Sequence, residues 1–419
     1  MKTLKPLAAA ILATLATASW AANNSATTNQ TGAGNTASTV QSSTDDAVAT
    51  VDQTGNNNSA DVSQANSVNM MTADIDTVGD DNAATITQDD SWFATATVEQ
   101  DGTLNTATIT QVAISDNTNG TIQQIAGNED SVASITQTSA FSSDATIVQS
   151  ASLNADASIT QTGVDHLANI TQNNLIGSTA TVNQSNVNNT ADVLQDDSWF
   201  ATATVDQTGA DNIASISQVA ISDNATASIT QSGDNNNGLI SQDFSFNSDA
   251  MIDQYGTNGD ADIIQDESTS SYAEIVQGGD ANIAQVDQGL GDRNTAYVNQ
   301  SGTANDAEVD QSGSDNLANV DQHGNANVAV AHSHGGNSVI DVDQLGDNNL
   351  ANVEQDAISE YGIATITQPG SDNEAFITQF GIGASGNENV ATILQEATLD
   401  SATITQMGGG GNNAFIHQN

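Results

Sequence analysis

Apolar and polar residues alternate along this chain in short runs of one pattern, Ala-x-(Val/Ile)-x-Gln. Ala84-Thr85-Ile86-Thr87-Gln88 and Ala307-Glu308-Val309-Asp310-Gln311 are two copies. A period of two places Ala, Val/Ile and Gln on one face of a strand and Thr, Ser, Asp, Glu or Asn on the other. The closing Gln recurs every 11 or 12 residues, as at Gln30, Gln41, Gln53 and Gln64. Later runs are Gln88, Gln100, Gln111, then Gln161, Gln172, Gln184, Gln195, Gln207, Gln218, then Gln231 onward. The series ends at Gln395, Gln406 and Gln418, with Thr77 and His332 read as replacing Gln at two places. This predicts about 34 strands, or about 17 units of roughly 23 residues.

Between the strands, Gln-x-Gly-x-x-Asn marks a turn, with Gly expected to supply positive φ and Asn expected to tolerate αL or to cap the turn. A unit of strand, turn, strand, turn is one rung of a β-solenoid. The predicted fold is all-β and amyloid-like, with equivalent positions of successive rungs about 4.8 Å apart. In such a stack an inward Gln amide donates to the rung above and accepts from the rung below, which offsets the cost of burying it. The Gly turn changes phase near Gln161, and the Gln379–Gln395 interval holds a Gly-rich insertion; loops or kinks are expected at both. A longer duplication repeats Gln88–Val98 at Gln195–Val205, including Trp92-Phe93 and Trp199-Phe200. These pairs are read as filling a rung or anchoring an adhesive patch.

Lys2 and Lys5, the apolar run Leu7–Ala18 and Ser19-Trp20-Ala21 read as a secretory signal peptide over residues 1–21, cut between Ala21 and Ala22. Residues 22–29 are then a short N-terminal segment and 30–419 the repeat domain, running to the penultimate residue with no capping pattern. An uncapped solenoid exposes strand edges able to recruit further copies.

With 52 acidic residues against 3 Lys and Arg, the formal net charge is −49, which disfavours nucleic acid and anionic lipid as partners. No apolar run is long enough for a membrane span. There are no cysteines and only 2 prolines, the latter as a long hydrogen-bonded ladder requires. Acidic residues precede many repeat glutamines: Asp52, Glu99, Asp206, Asp253, Asp287, Asp310, Asp321, Asp343 and Glu354. Stacked, they repel by roughly 1 kcal/mol per pair in water, are screened by salt and are able to gather Ca²⁺ loosely. The simpler reading is a solvated face that keeps the exported chain soluble.

Catalytic and cofactor motifs were weighed and none assigned. Gly381-Ile382-Gly383-Ala384-Ser385-Gly386 fits a dinucleotide fingerprint by its letters but lies among strand repeats. His332-Ser333-His334 lacks a third ligand in sequence, so no metal is assigned, and His166 and His323 are read as exposed turn residues.

The repeat Gln-x-Gly-x-x-Asn-x-Ala-x-x-x-Gln resembles that of the curlins, subunits of bacterial curli fibres. It stands here as Gln30-Gly32-Asn35-Ala37-Gln41, Gln53-Gly55-Asn58-Ala60-Gln64, Gln100-Gly102-Asn105-Ala107-Gln111 and Gln207-Gly209-Asn212-Ala214-Gln218. It continues as Gln277-Gly279-Asn282-Ala284-Gln288, Gln300-Gly302-Asn305-Ala307-Gln311 and Gln344-Gly346-Asn349-Ala351-Gln355. The resemblance implies an extracellular amyloid fibre in a biofilm matrix, secretion through an outer-membrane pore and nucleation by a minor curlin-like subunit. It also implies that repeat Gln and Asn residues drive self-assembly, the terminal ones most, here Gln30, Asn35, Gln41, Gln406 and Gln418. This chain departs from typical curlins in having about three times as many repeats, little of the export segment, and few serines six residues before Gln, Ser248 being one. Two other readings compete: a monomeric solenoid that binds ice or another repetitive surface through Thr-x-Thr pairs, and an acidic calcium-binding adhesin. Against the first, Asp, Glu and Asn interrupt the threonines.

Overall fold

The computed structural model describes residues 23–357, 359–381 and 383–419. The expected signal peptide and its cleavage residues, Ala21 and Ala22, lie outside the described residues. Within them the chain forms 34 β-strands and no α-helix. No helix of the described residues is long and apolar enough to cross a membrane.

The chain divides into two compact units at Phe200/Ala201. In each unit, odd-numbered strands stack in one parallel sheet and even-numbered strands in another. In the first unit Ser25–Thr31 pairs with Val48–Asn56, which pairs with Thr72–Asp80, while Thr36–Ser42 pairs with Ser59–Ala65. In the second unit Thr202–Gln207 pairs with Thr226–Gln231, and Ile213–Val219 with Asn237–Asp243. A one-residue slip would turn every inward residue out, so the period-two pattern fixes this register. The molecule is a β-solenoid of about 17 turns with roughly 23 residues each.

Inward residues are those the pattern assigns. Ala84, Ile86 and Gln88 are buried, as are Ala307, Val309 and Gln311. Side chains on alternate positions remain half-exposed, because they face solvent between neighbouring columns. The core is thin and made mostly of Ala, Val and Ile, with amides at its edge.

Three sequence readings need correction. Residues 25–29, placed ahead of the repeat, already belong to the first strand, with Ser25 opposite Val48 and Asn29 opposite Asp52. Near Gln161, where a kink is expected, the glutamine column itself continues through Gln137, Gln161 and Gln184, and a bulge follows directly, with Ala140 opposite Gly163. What changes is the corner carrying the asparagine. Through Asn105 it follows odd strands; from His166 this corner position also follows even ones, as at Asn189, Asn236, Asn282 and Asn305, while Asn294 and Asn316 still follow odd ones. Ser333, not His332, occupies the Gln column, opposite Gln311 and Gln355. Finally, His166 is buried; its Nε2 lies 3.2 Å from Thr162 O and its Nδ1 accepts from Asn189 N–H at 3.3 Å. It fills the corner position that asparagine holds elsewhere, and burial lowers its pKa. His323 is half-exposed, its Nε2 2.9 Å from Asp321.

The Gly-rich insertion after Gln379 is a loop closed by a bridge between Ala384 and Asn387. The columns resume beyond it, since Gln368 Nε2 donates to Gln395 Oε1 at 2.8 Å and Gln379 Nε2 to Gln406 Oε1 at 2.8 Å. The insertion therefore adds residues to one rung without breaking the stack.

Candidate functional site: the amide and glycine columns

Each repeat glutamine sits at the inward end of its strand, next to the corner. Gln88 shows the full set of bonds. Its Nε2 donates along the stack to Gln111 Oε1 at 2.8 Å and across the thin core to Thr72 O at 3.1 Å. Gln64 does the same to Gln88 Oε1 and Val48 O, and Gln277 to Gln300 Oε1 and Asp260 O. The amide thus welds neighbouring rungs and also ties the two sheets together. Every hydrogen bond observed between stacked glutamines runs in one direction, Nε2 of the earlier rung to Oε1 of the later. Such aligned chains strengthen one another in a dry core.

At two places the column breaks. Thr77 stands between Gln53 and Gln100, and Thr77 Oγ1, Gln53 Nε2 and Gln100 Oε1 make no hydrogen bond. Ser333 does the same below Gln355, leaving Ser333 Oγ and Gln355 Oε1 unpaired.

The corner asparagines bond mainly to backbone. Asn58 Oδ1 accepts the backbone N–H of Asn82 in the next rung at 3.0 Å, and its Nδ2 donates to Gly79 O at 2.8 Å. Asn35, Asn82 and Asn305 bond the next rung's backbone in the same way. Asparagine therefore clamps the backbone of the following corner, while glutamine bonds its own kind. Serine substitutes in these columns: Ser271 Oγ accepts from Asn294 N–H at 3.3 Å, six residues before Gln277. Ser131, Ser143, Ser178 and Ser338 also stand six before a repeat Gln, so this serine position is commoner than a search led by Ser248 reveals.

The turn is also resolved differently. The αL residue is the one before asparagine: Asn57, Leu104, Ala281, Ala304 and Asn348 have φ near 55–60°. Its inverted peptide lets N–H point back to the preceding rung, as Asn57 N donates to Ala33 O at 2.9 Å and Leu104 N to Asp80 O at 3.1 Å. That bond offsets the αL penalty of about 1–2 kcal/mol for a residue with a Cβ.

Glycine is required by contact more than by φ. Gly32, Gly55, Gly102, Gly279 and Gly302 do have positive φ, but Gly209 and Gly346 do not. A Cβ on Gly55 would lie 1.8 Å from Gly79 O, on Gly209 1.7 Å from Gly233 O, and on Gly346 2.0 Å from Gly370 O. The carbonyl of the next rung occupies the place a side chain needs, so one glycine imposes glycine-like space on its neighbour.

Outside the core, many carboxylates are paired with asparagine on a neighbouring rung. Asn29 Nδ2 donates to Asp52 at 2.6 Å, Asn237 to Asp260 at 2.8 Å and Asn319 to Asp341 at 3.0 Å. Carboxylates stack directly in shorter runs: Asp52–Asp76–Glu99, Asp287–Asp310 and Asp321–Asp343. Burial, with Asp52, Glu99 and Asp74 adding to it, raises the Asp76 pKa; burial with Asp310 and Asp266 raises that of Asp287. Asp206 faces Thr230 and Asp253 faces Thr230 and Val276, so neither is part of a carboxylate run among the strands paired with them.

On the even sheet of the first unit the hydroxyls run without interruption over four strands: Thr85/Thr87, Thr108/Thr110, Ser134/Thr136 and Ser158/Thr160. Sequence order hides this run, because odd strands with Glu99, Gln123 and Val148 at the equivalent position lie between these segments along the chain. Trp92, Phe93, Trp199 and Phe200 sit at exposed corners and do not fill a rung.

Stacked parallel rungs, aligned glutamines and backbone-clamping corners define a β-solenoid of amide-laddered repeats. The curlin-associated repeat family matches residues 222–256, 290–313, 313–356 and 335–381, so these segments are similar to curlin repeats. No curated protein matches it significantly.

Proposed function

We propose that this chain is the structural subunit of an extracellular curli-like functional amyloid, serving adhesion, aggregation and biofilm matrix. It polymerises by stacking end on end. The observation that carries this reading is the direction of the glutamine columns. On the first rung, Gln30 and Gln41 donate to Gln53 and Gln64, and their own Oε1 atoms accept no hydrogen bond from the described residues. On the last, Gln406 and Gln418 accept from Gln379 and Gln395, and their Nε2 atoms bond only the backbone carbonyls of Val390 and Ser401. The first rung offers acceptors and the last offers donors. Inward residues of these end rungs are also partly exposed, Ala37, Ala414 and Ile416 among them, whereas their equivalents within the stack are buried. A second copy would restore both the hydrogen bonds and the burial.

In this reading Gln30, Asn35, Gln41, Gln406 and Gln418 are the joining residues, and the interior amides hold the rungs. A curlin-like nucleator, an outer-membrane secretion pore and loosely held Ca²⁺ are the partners it brings with it, and the role is structural, not catalytic. The test is incubation of the chain lacking residues 1–21, followed by thioflavin fluorescence, electron microscopy and fibre diffraction. Fibres with a meridional spacing of about 4.8 Å are expected. Gln30→Ala with Gln41→Ala, and separately Gln406→Ala with Gln418→Ala, should slow elongation while leaving the monomer's circular dichroism unchanged. A chain that stays monomeric under all these conditions sinks the proposal.

The uninterrupted hydroxyl run on strands Ala83–Asp89, Thr106–Val112, Val132–Phe141 and Asp156–Val164 supports the surface-binding alternative. Ice shaping by monomer, abolished by Thr108→Lys, would favour that reading.

A further inference from the structure

We infer that His332, His334 and Glu354 form a binding site for a divalent transition metal of the zinc or copper class. The two histidines flank Ser333, so the strand's alternation sends both imidazoles outward while the serine points in. In register, His332 lies between Asp310 on the preceding rung and Glu354 on the following one. One donor atom from each of His332, His334 and Glu354 lies within 4.8 Å of the others. His332 Nδ1 is 3.5 Å from Glu354 Oε2, and His332 Nε2 is 3.5 Å from Glu308 Oε1. His334 Nε2 is 3.9 Å from Asp310 Oδ2.

Two further observations point to a ligand. His332 Nε2 is shielded from solvent yet makes no hydrogen bond, the carboxylate of Glu308 standing 3.5 Å away. His334 Nδ1 is held by Ser312 Oγ at 3.0 Å, which leaves Nε2 directed at the carboxylates. A partner on the second ring nitrogen of this kind orients metal-binding histidines generally. Tetrahedral ligands about 2.0–2.1 Å from zinc lie roughly 3.3 Å apart, so small side-chain rotations suffice to close the set. Two imidazoles with a carboxylate select zinc or copper over calcium, which takes oxygen ligands only.

The placement gives the site a purpose. Ser333 is one of the two breaks in the glutamine columns, and the metal would bind on the other face of the same strand. It would link rungs whose internal amide link is missing. The site lies wholly within the second unit and does not depend on assembly.

The test uses the full chain without residues 1–21, titrated with Zn²⁺ by calorimetry and with Cu²⁺ by electron paramagnetic resonance. One saturable Zn²⁺ site, nitrogen hyperfine splitting from Cu²⁺ and a raised unfolding midpoint with one equivalent of Zn²⁺ are expected. His332→Gln with His334→Gln should weaken binding by at least about tenfold and remove the splitting and the midpoint shift, whereas His323→Gln should change none of them. Should the double variant lose its β circular dichroism, Glu354→Gln, which keeps both imidazoles, is read in its place and should weaken Zn²⁺ likewise. Isotherms and spectra that are the same in wild type and in the folded variants overturn the site.

Discussion

Ser333 lies opposite Gln355 on adjacent parallel strands, and its short side chain leaves Gln355 Oε1 without a hydrogen bond inside the core. The relationship is local, but its consequence is general. A column of amides is as strong as its least complete step, because an unpaired buried amide costs about 1–3 kcal/mol.

Restoring the column should therefore stabilise the protein. Ser333→Gln offers a donor to Gln355 Oε1 and an acceptor to Gln311, in a position whose neighbours above and below are already glutamine. A gain of about 1–2 kcal/mol is expected in urea unfolding of the monomer. Thr77→Gln, between Gln53 and Gln100, should act in the same direction, and the two should add, since they share no partner.

Glycine at the corners should tolerate no side chain. Gly233 has no positive φ, so Gly233→Ala tests contact alone; its Cβ would lie 1.6 Å from Gly256 O. A loss of about 3 kcal/mol or more is expected, because a backbone carbonyl, not a flexible side chain, must move. Gly409→Ala is the control, with nothing within 4 Å of the added carbon, and its unfolding midpoint should not change.

The clamping role of asparagine is separable from its size. Asn316 Oδ1 accepts from Ser338 N–H at 3.2 Å and its Nδ2 donates to Gly335 O at 3.0 Å. Asn316→Ala should cost about 2–4 kcal/mol, leaving both backbone groups buried and unpaired. Asn316→Ser should cost less, because serine already serves in this column, where Ser271 accepts from Asn294 N–H. Equal losses from the two substitutions would contradict the clamp.

Acidity should stabilise the fold. Burial, reinforced by carboxylates on neighbouring rungs, raises the pKa of Asp76, Asp253, Asp287 and Asp343 above 3.8. The folded state then holds more protons than the unfolded state between 3.8 and these raised values. Stability is accordingly complete below the unfolded pKa and declines as pH rises through the folded ones. Asp280 and Asp315, lowered by hydrogen bonds from Asn258 and Arg293, pull the other way, as does His166, whose pKa burial lowers so that acid costs it stability, but these groups are fewer. Unfolding midpoints measured from pH 7 down to about 4 should rise, and added salt should flatten the slope by screening the carboxylate runs.

The sequence by itself determined the strand, its inward face and the length of the rung. Alternation is a local property, and a fixed Gln every 11 or 12 residues leaves a parallel stack as the arrangement that pairs every amide. It also carried the resemblance to curlins. Only the tertiary structure decided what the repeat letters touch. Glycine is needed because a carbonyl from a residue 22–27 positions away fills its Cβ site, and asparagine is needed because it reaches backbone on the next rung. Neither contact leaves a trace within one repeat. The same holds for His332, His334 and Glu354, and for the hydroxyl run from Thr85 to Thr160. Their members are neighbours along the stacking axis, a direction that the order of residues along the chain does not record.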